Sequence, residues 1–235
     1  MKTIGLIGGM SWESSIEYYR IINQAVRKEL GGVHSAKSVM VSVDFGEIEK
    51  LQMKGDWDQA TQIMIQTAQE VESAGADFLL ICTNTMHLVA EEVQAEINIP
   101  LLHIADAAAR AIKEAGLEAV GLLGTRFTME KDFYRGRLEK DHGLRVITPK
   151  QESREIVHRI IYEELVQGKI KKESRDRYLE VILSLREEGA QGIVLGCTEI
   201  GLLVKQEDVT VPVFDTMEIH ALAAVDAAMG RYKLC

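Results

Sequence analysis

Short apolar runs alternate along the chain with longer segments in which apolar residues recur at helical spacing. The run "TIGLIGG" at 3–9 leads into a helical pattern over 14–30, and "AVGLLGT" at 119–125 leads into "TMEKDFYRGRLEKD". An apolar run that ends in glycine and is followed by a helix is typical of a buried parallel strand. Each of the two segments therefore predicts a strand, a glycine turn and a helix.

The same alternation continues through the rest of the chain. The pattern predicts further strands over 38–45 and 144–149, and helices over 58–74, 88–96, 152–167, 171–188 and 216–230. Strands that alternate with helices of this length form parallel sheets with helices on both faces. The fold class predicted from the sequence is therefore α/β.

The second half of the chain repeats landmarks of the first half. Gly5 and Gly8 match Gly121 and Gly124 at an offset of 116, "GADFLLICTNT" at 75–85 matches "GAQGIVLGCTE" at 189–199 at an offset of 114, and "IPLLHI" at 99–104 matches "VPVFDT" at 211–216 at an offset of 112. Matches that keep their order and nearly keep their spacing indicate a duplicated α/β unit. We predict two similar three-layer domains: residues 1–100, completed by a C-terminal helix at 212–235, and residues 101–211.

Ligands of open parallel sheets bind beyond the carboxyl ends of the strands. Four loops of this chain begin at such ends: Gly8–Ser11, Thr83–Thr85, Gly124–Thr125 and Cys197–Glu199. If the two domains face each other about a pseudo-twofold axis, these four loops line one cleft. We therefore expect the active site in a cleft between the domains.

The repeat also predicts which residue of "ICTNTMH" at 81–87 points toward that cleft. In the gapless alignment set by Gly75 and Gly189, Thr83 is the counterpart of Cys197, and Cys82 falls on a glycine. Adjacent residues at a strand end point to opposite faces of the sheet, so Thr83 shares the orientation of Cys197. Cys82 is then expected to be a small buried hydrophobe.

Composition excludes several classes of protein. A formal net charge of −9 disfavours nucleic-acid binding, which uses clustered basic residues, and no apolar stretch reaches the length of about 20 residues that a bilayer span needs. We expect a cytoplasmic protein. Its three cysteines have neither the spacing of a disulfide framework nor that of a zinc site, and Cys235 is expected to be incidental.

The motifs "GLIGGMS" at the start, "TNTMH" at 83–87 and "GCTE" at 196–199 resemble those of the aspartate/glutamate racemase superfamily. The resemblance implies two flavodoxin-like domains, racemisation without a cofactor, and a possible homodimer. It also implies that two cysteines, one from each domain, act on opposite sides of the substrate α-carbon. The position of the first cysteine is occupied by Thr83 here, which is a departure from the family pattern. In this departure the chain resembles the amino-acid racemases of enteric bacteria.

Removal of an α-proton leaves carbanion character, which a site without pyridoxal phosphate must stabilise with fixed dipoles. We therefore assign Thr83 and Cys197 as catalytic residues, with Cys197 as a thiolate base whose pKa nearby helix dipoles lower. The residues expected to bind substrate are polar groups at the strand ends and their neighbours: Met10, Ser11, Gln52, Asn84, Thr85, Thr125, Thr198 and Glu199. No cofactor and no metal are expected.

Substrate choice and the reaction itself stay open at this point. The family's aspartate-specific members place basic residues at positions that fall near Glu47 and Val166 here, so a broader or neutral range competes with aspartate and glutamate. A hydantoin racemase, maleate isomerase or decarboxylase, or a non-catalytic amino-acid-binding protein, are the alternatives. His87, four residues after Thr83, also stays open as a functional residue.

Overall fold

A computed structural model describes residues 1–234, so Cys235 lies outside the described residues. The chain forms two compact units: unit 1 holds Met1–Ile104 and the segment from His220 onward, and unit 2 holds Ala105–Ile219. The division into two folding domains with boundaries at 100 and 211 stays a prediction. No helix within residues 1–234 is both long and apolar enough to cross a membrane.

Unit 1 is built on a parallel sheet with the strand order β2-β1-β3. Its elements are β1 (Ile4–Gly8), α1 (Trp12–Leu30), β2 (Ser38–Ser42), α2 (Phe45–Lys54), α3 (Trp57–Ser73), β3 (Phe78–Ile81), a 3-10 helix (Thr85–Val89) and α4 (Ala90–Ala95). Gly5 lies against Val71 of α3, whereas Gly8 lies against Ser15 of α1. Strand residues three apart point to opposite faces, so helices cover both sides of this sheet.

Unit 2 has a four-stranded parallel sheet with the order β5-β4-β6-β7. Its elements are α5 (Ile104–Glu114), β4 (Ala119–Gly124), α6 (Arg126–Glu130), α7 (Asp132–Lys140), β5 (Arg145–Ile147), α8 (Gln151–Glu163), α9 (Lys172–Glu187), β6 (Gly192–Gly196), α10 (Ile200–Leu203) and β7 (Val213–Asp215), with 3-10 helices at Leu165–Gln167 and Gln206–Asp208. The last helix, α11 (Thr216–Ala228), begins in unit 2 and continues into unit 1.

The strand pairings confirm the internal repeat. Ile4 pairs with Phe78 in unit 1, and Val120 pairs with Gly192 in unit 2, at the offsets of 116 and 114 seen in the sequence. The Leu79 N–H donates to the Pro100 carbonyl, and the Ile193 N–H donates to the Pro212 carbonyl, which reproduces the offsets of 114 and 112. Both sheets therefore have the order 2-1-3-4 of a flavodoxin-like fold, with the fourth position of unit 1 held by an isolated bridge at Leu101. The pseudo-twofold axis stays a prediction.

Several predicted elements differ from the structure. The segment 212–235 is not one helix, because strand β7 occupies its start and α11 ends at Ala228. The strand predicted over 38–45 ends at Ser42, because the Asp44 side chain accepts the Gly46 N–H at 2.8 Å and caps the unpredicted helix α2. The helix predicted over 88–96 begins instead as the 3-10 helix at Thr85.

Gly9 is predicted to tolerate no side chain. The φ of Gly9 is +93°, and an added Cβ would lie 2.2 Å from the Val43 carbonyl oxygen. Gly75 has a similar φ of +90°, but a Cβ added there would have no neighbouring atom within 4 Å. We expect Gly75→Ala to lower the free energy of unfolding by about 1–2 kcal/mol through the backbone conformation alone. Gly9→Ala should cost roughly 1–3 kcal/mol more because of overpacking. Urea unfolding of both variants measures the difference, and equal losses would contradict this assignment.

Candidate active site

The end of β3 separates Cys82 from Thr83 as the repeat predicts. The Cys82 N–H donates to the Ile7 carbonyl at 2.9 Å, which continues the β1–β3 pairing to the strand end. Cys82 is 0% exposed, whereas Thr83 is partly exposed. Burial raises the pKa of the Cys82 thiol well above its ordinary value. Cys82 therefore rests as an inert thiol in the core of unit 1.

The glycine turn after β1 is organised by serine side chains. The Ser11 hydroxyl accepts the Ser14 N–H and caps α1, while the Ser15 hydroxyl accepts the Gly9 N–H at 2.8 Å. The Met10 side chain packs in the apolar core of unit 1. The Gly9 N–H is therefore already engaged by Ser15 in this structure. Substrate contact by Met10 and Ser11 stays a prediction.

Buried polar side chains surround the start of the loop after Thr83. Asn84 and Thr85 are buried where the 3-10 helix begins, and Gln52 is buried on α2. The Gln52 amide donates to the Met86 sulfur at 3.2 Å. Because β1 and β3 are neighbours, this loop and the glycine turn lie at the same edge of the unit 1 sheet. Unit 1 thus gathers five of the predicted site residues and Thr83 at one edge.

At the corresponding edge of unit 2, Cys197, Thr198 and Glu199 form a hydrogen-bonded group. Glu199 Oε2 accepts the Cys197 thiol at 3.0 Å and the Thr198 hydroxyl at 2.9 Å. Cys197 is 8% exposed and Glu199 is 4% exposed. One carboxylate oxygen of Glu199 thus holds the thiol of the predicted catalytic residue, while substrate contact by Glu199 stays a prediction. The group is therefore arranged to exchange a proton between sulfur and oxygen.

The environment of Cys197 corrects the expectation of a lowered pKa. Burial raises the pKa of the Cys197 thiol well above its ordinary value, and the charge and hydrogen bond of Glu199 raise it further. The backbone N–H groups of Glu199 and Ile200 act in the opposite direction but are outweighed. Helix α10 has only four residues, so its dipole is small. Cys197 therefore rests as a thiol.

Thr125 occupies the strand end next to Cys197. Gly124 of β4 pairs with Gly196 of β6, so the residues that follow them lie at adjacent strand ends. The Thr125 hydroxyl accepts the Thr128 N–H and caps α6, as Ser11 caps α1. Substrate contact by Thr125 and Thr198 stays a prediction.

Two contributors to the site were not among the residues assigned to it from the sequence, although His87 was left open as a functional residue. Ser15 holds the glycine turn, and His87 Nδ1 lies 2.8 Å from the Thr83 carbonyl oxygen. The spacing of four residues between Thr83 and His87 was the available signal, since such residues share one side of a helical turn. No sequence signal separates Ser15 from the other polar residues of α1.

Known proteins resemble this chain over most of its length. The family model described as Asp/Glu/hydantoin racemase matches residues 7–224. A broad-specificity amino-acid racemase, RacX of Bacillus subtilis (strain 168), is 26% identical over 74% of this chain and 75% of its own.

Solved structures give the same result. A protein of Yersinia pestis that is provisionally assigned as an Asp/Glu racemase is 58% identical, with a TM-score of 0.91 over 97% of this chain and 100% of its own. An aspartate racemase homologue of Pyrococcus horikoshii OT3 is 39% identical, with a TM-score of 0.84 over 97% of this chain and 100% of its own. The chain therefore belongs to the Asp/Glu/hydantoin racemase family.

Proposed function

We propose that this chain is an amino-acid racemase that acts without a cofactor, with Cys197 moving the α-proton on one face of the substrate and Thr83 on the other. The observation that carries the proposal is the buried hydrogen bond from the Cys197 thiol to Glu199. A thiol paired with a carboxylate supplies both a proton donor and a place for the proton to go. The register that makes Thr83 the counterpart of Cys197 supports the second role.

Proton transfer at Cys197 involves two atoms of the protein. As an acid, the Cys197 thiol gives its proton to the α-carbon and becomes a thiolate. As a base, Cys197 first passes its proton to Glu199, and the thiolate then takes the α-proton, so that sulfur is again protonated. Release of the proton from Glu199 to solvent restores the resting thiol and carboxylate. Because Glu199 disfavours the thiolate, its protonation in this step removes the charge that raises the pKa of Cys197.

Thr83 provides a weaker group on the other face. A hydroxyl ionises far less readily than a thiol, so Thr83 serves as a proton relay and not as a strong base. Partial exposure of Thr83 fits this role, since a relay must reach substrate or solvent. We therefore propose that conversion is slow or biased toward one enantiomer.

The substrates we propose are free α-amino acids of the aspartate and glutamate type or of a broad range. RacX is named for broad specificity, whereas the Pyrococcus protein is named for aspartate. Glu47 on α2 carries no positive charge, and Val166 packs against the apolar cluster that includes Cys197. Neither position therefore pairs with a side-chain carboxylate. We also propose a cytoplasmic location and a homodimer, both of which rest on the family resemblance and composition.

Replacement of Cys197 is predicted to abolish exchange of the α-proton. In heavy water, the wild-type protein should introduce deuterium at the α-position of amino acids from a panel of aspartate, glutamate and neutral residues. Cys197→Ala should lower this rate at least about 100-fold, because it removes the acid–base group of one face. Cys82→Ala is the matched control, since it removes a thiol from the core one residue before Thr83, and should retain exchange.

Mass spectrometry of the recovered amino acids measures this exchange. Exchange that persists in Cys197→Ala would refute the assignment of Cys197. If the wild-type protein binds amino acids in calorimetry but exchanges no α-proton, the chain is a binding protein and the racemase proposal fails.

Replacement of Thr83 with cysteine is predicted to accelerate proton transfer on the face of the substrate that Thr83 serves. A thiol ionises more readily than a hydroxyl, so Thr83→Cys should raise the rate of racemisation by roughly 10-fold or more. Chiral chromatography of both directions gives the comparison, with Thr83→Ser as the control that keeps a hydroxyl. A Thr83→Cys rate that is unchanged or lower in both directions would remove the basis for the relay.

Replacement of Glu199 with glutamine separates its effect on the Cys197 pKa from its role in proton transfer. Removal of the carboxylate charge should lower the pKa of Cys197, so alkylation of Cys197 by iodoacetamide should begin at lower pH. Exchange of the α-proton should nevertheless fall about 10-fold or more, because the thiol loses its proton acceptor. Thr198→Val keeps the charge of Glu199 and should leave the alkylation profile in place. An unchanged profile in Glu199→Gln would contradict the pairing.

A further inference from the structure

Three histidines are buried together in unit 1 behind the loop that carries Thr83. His87, His103 and His220 are 2%, 5% and 0% exposed. The ring centroid of His87 lies 4.5 Å from that of His103 and 5.8 Å from that of His220. Buried imidazoles need hydrogen-bond partners, and those of His87 and His220 define what the cluster does.

The hydrogen bonds of His87 fix its tautomer. The Ile104 N–H donates to His87 Nε2 at 3.2 Å, so this nitrogen is an acceptor and carries no proton. The proton is therefore on Nδ1, which donates to the Thr83 carbonyl at 2.8 Å. A neutral His87 thus joins the carbonyl of the predicted relay residue to the main chain at the start of α5.

His220 likewise joins two segments of unit 1 through its two ring nitrogens. Its Nε2 donates to the Leu102 carbonyl at 2.8 Å, and its Nδ1 accepts the Tyr18 hydroxyl at 2.8 Å. Segment 102–104 is thereby attached to α1 and α11 through His220, while His87 attaches the Thr83 loop to that segment. His87 is the member of the pair that contacts the Thr83 main chain.

We propose that His87 is a positioning residue that sets the direction of the Thr83 side chain. Rotation of the Thr83 peptide group would break its bond to His87, and the side chain moves with the peptide to which it is attached. A displacement of about 1 Å in a reacting group can cost about 100-fold in rate. The hydrogen bond from His87 therefore protects the rate of proton transfer by keeping the Thr83 hydroxyl in place. The inference rests on the proposed function of Thr83.

Two substitutions of His87 each keep one of its two hydrogen bonds and remove the other. An asparagine amide reaches the place of Nδ1, so His87→Asn keeps a donor for the Thr83 carbonyl and loses the acceptor for Ile104. A glutamine amide reaches the place of Nε2, so His87→Gln keeps the acceptor for Ile104 and loses the donor for Thr83. His220→Gln is the matched control, because it alters an equally buried histidine that does not contact Thr83.

The kinetic arm compares the rate of racemisation in these variants. His87→Gln should slow racemisation by about 10-fold or more, because every turnover uses Thr83. His87→Asn should retain most of the wild-type rate, and His220→Gln should lower the rate less than His87→Gln does. Melting temperatures of the three variants show the loss of stability that a structural role alone would cause.

A second arm does not depend on catalysis. In the Thr83→Cys background, the alkylation rate of the introduced thiol reports its direction and access, and peptide mass spectrometry resolves it from the other cysteines. His87→Gln should change this rate by about 5-fold or more, whereas His87→Asn and His220→Gln should change it by no more than about 2-fold. If His87→Gln and His220→Gln give the same rate, the positioning role is refuted. Absence of racemisation with the predicted alkylation pattern would refute the proposed function and support the positioning role of His87.

Discussion

The hydrogen-bond register between neighbouring parallel strands determines which side chain stands at each functional position. Ile7 pairs with Ile81 in unit 1 and Leu123 pairs with Leu195 in unit 2, so the next residues, Cys82 and Gly196, complete the strands. The residue after each of them begins the loop at the sheet edge. A shift of one residue would exchange the two faces of the strand. Thr83 and Cys197 owe their equivalence to this register.

The two buried cysteines show how environment separates residues of the same type. Burial raises the pKa of both thiols, and Cys197 in addition has a carboxylate within hydrogen-bond distance. Cys82 is fully buried, and burial alone accounts for the shift of its pKa. The partner, and not the thiol itself, therefore distinguishes a group that can transfer protons from one that fills space.

The sequence was sufficient for the repeat, the α/β class and the equivalent positions of Thr83 and Cys197 in the two units, because all three follow from glycine and apolar spacing, which the sheet imposes directly. It was insufficient for groups whose role depends on a neighbour. Ser11 and Thr125 turned out to cap helices, and Glu199 turned out to hold a thiol. Helix α2 was missed because Val43 and Phe45 continue the apolar alternation of a strand, while the cap at Asp44 ends it.

His87 shows that the sequence does not reveal a role that depends on a residue far away along the chain. Its four-residue spacing from Thr83 is visible in the sequence, but its acceptor role depends on Ile104, 17 residues away. Long-range contacts of this kind are created by packing, and no local pattern encodes them. Family membership therefore supplies the reaction class, while the contacts of individual side chains supply the division of labour within it.

The central claim is that different groups serve the two faces of the α-carbon. The direct measurement is the isotope content of both enantiomers at low conversion, when an L-amino acid with a protium α-carbon reacts in heavy water. Two separate groups predict a D-product that carries deuterium at the α-carbon, while the remaining L-substrate keeps its protium. A D-product that retains protium would show that one group returns the proton it removed, and would contradict the account.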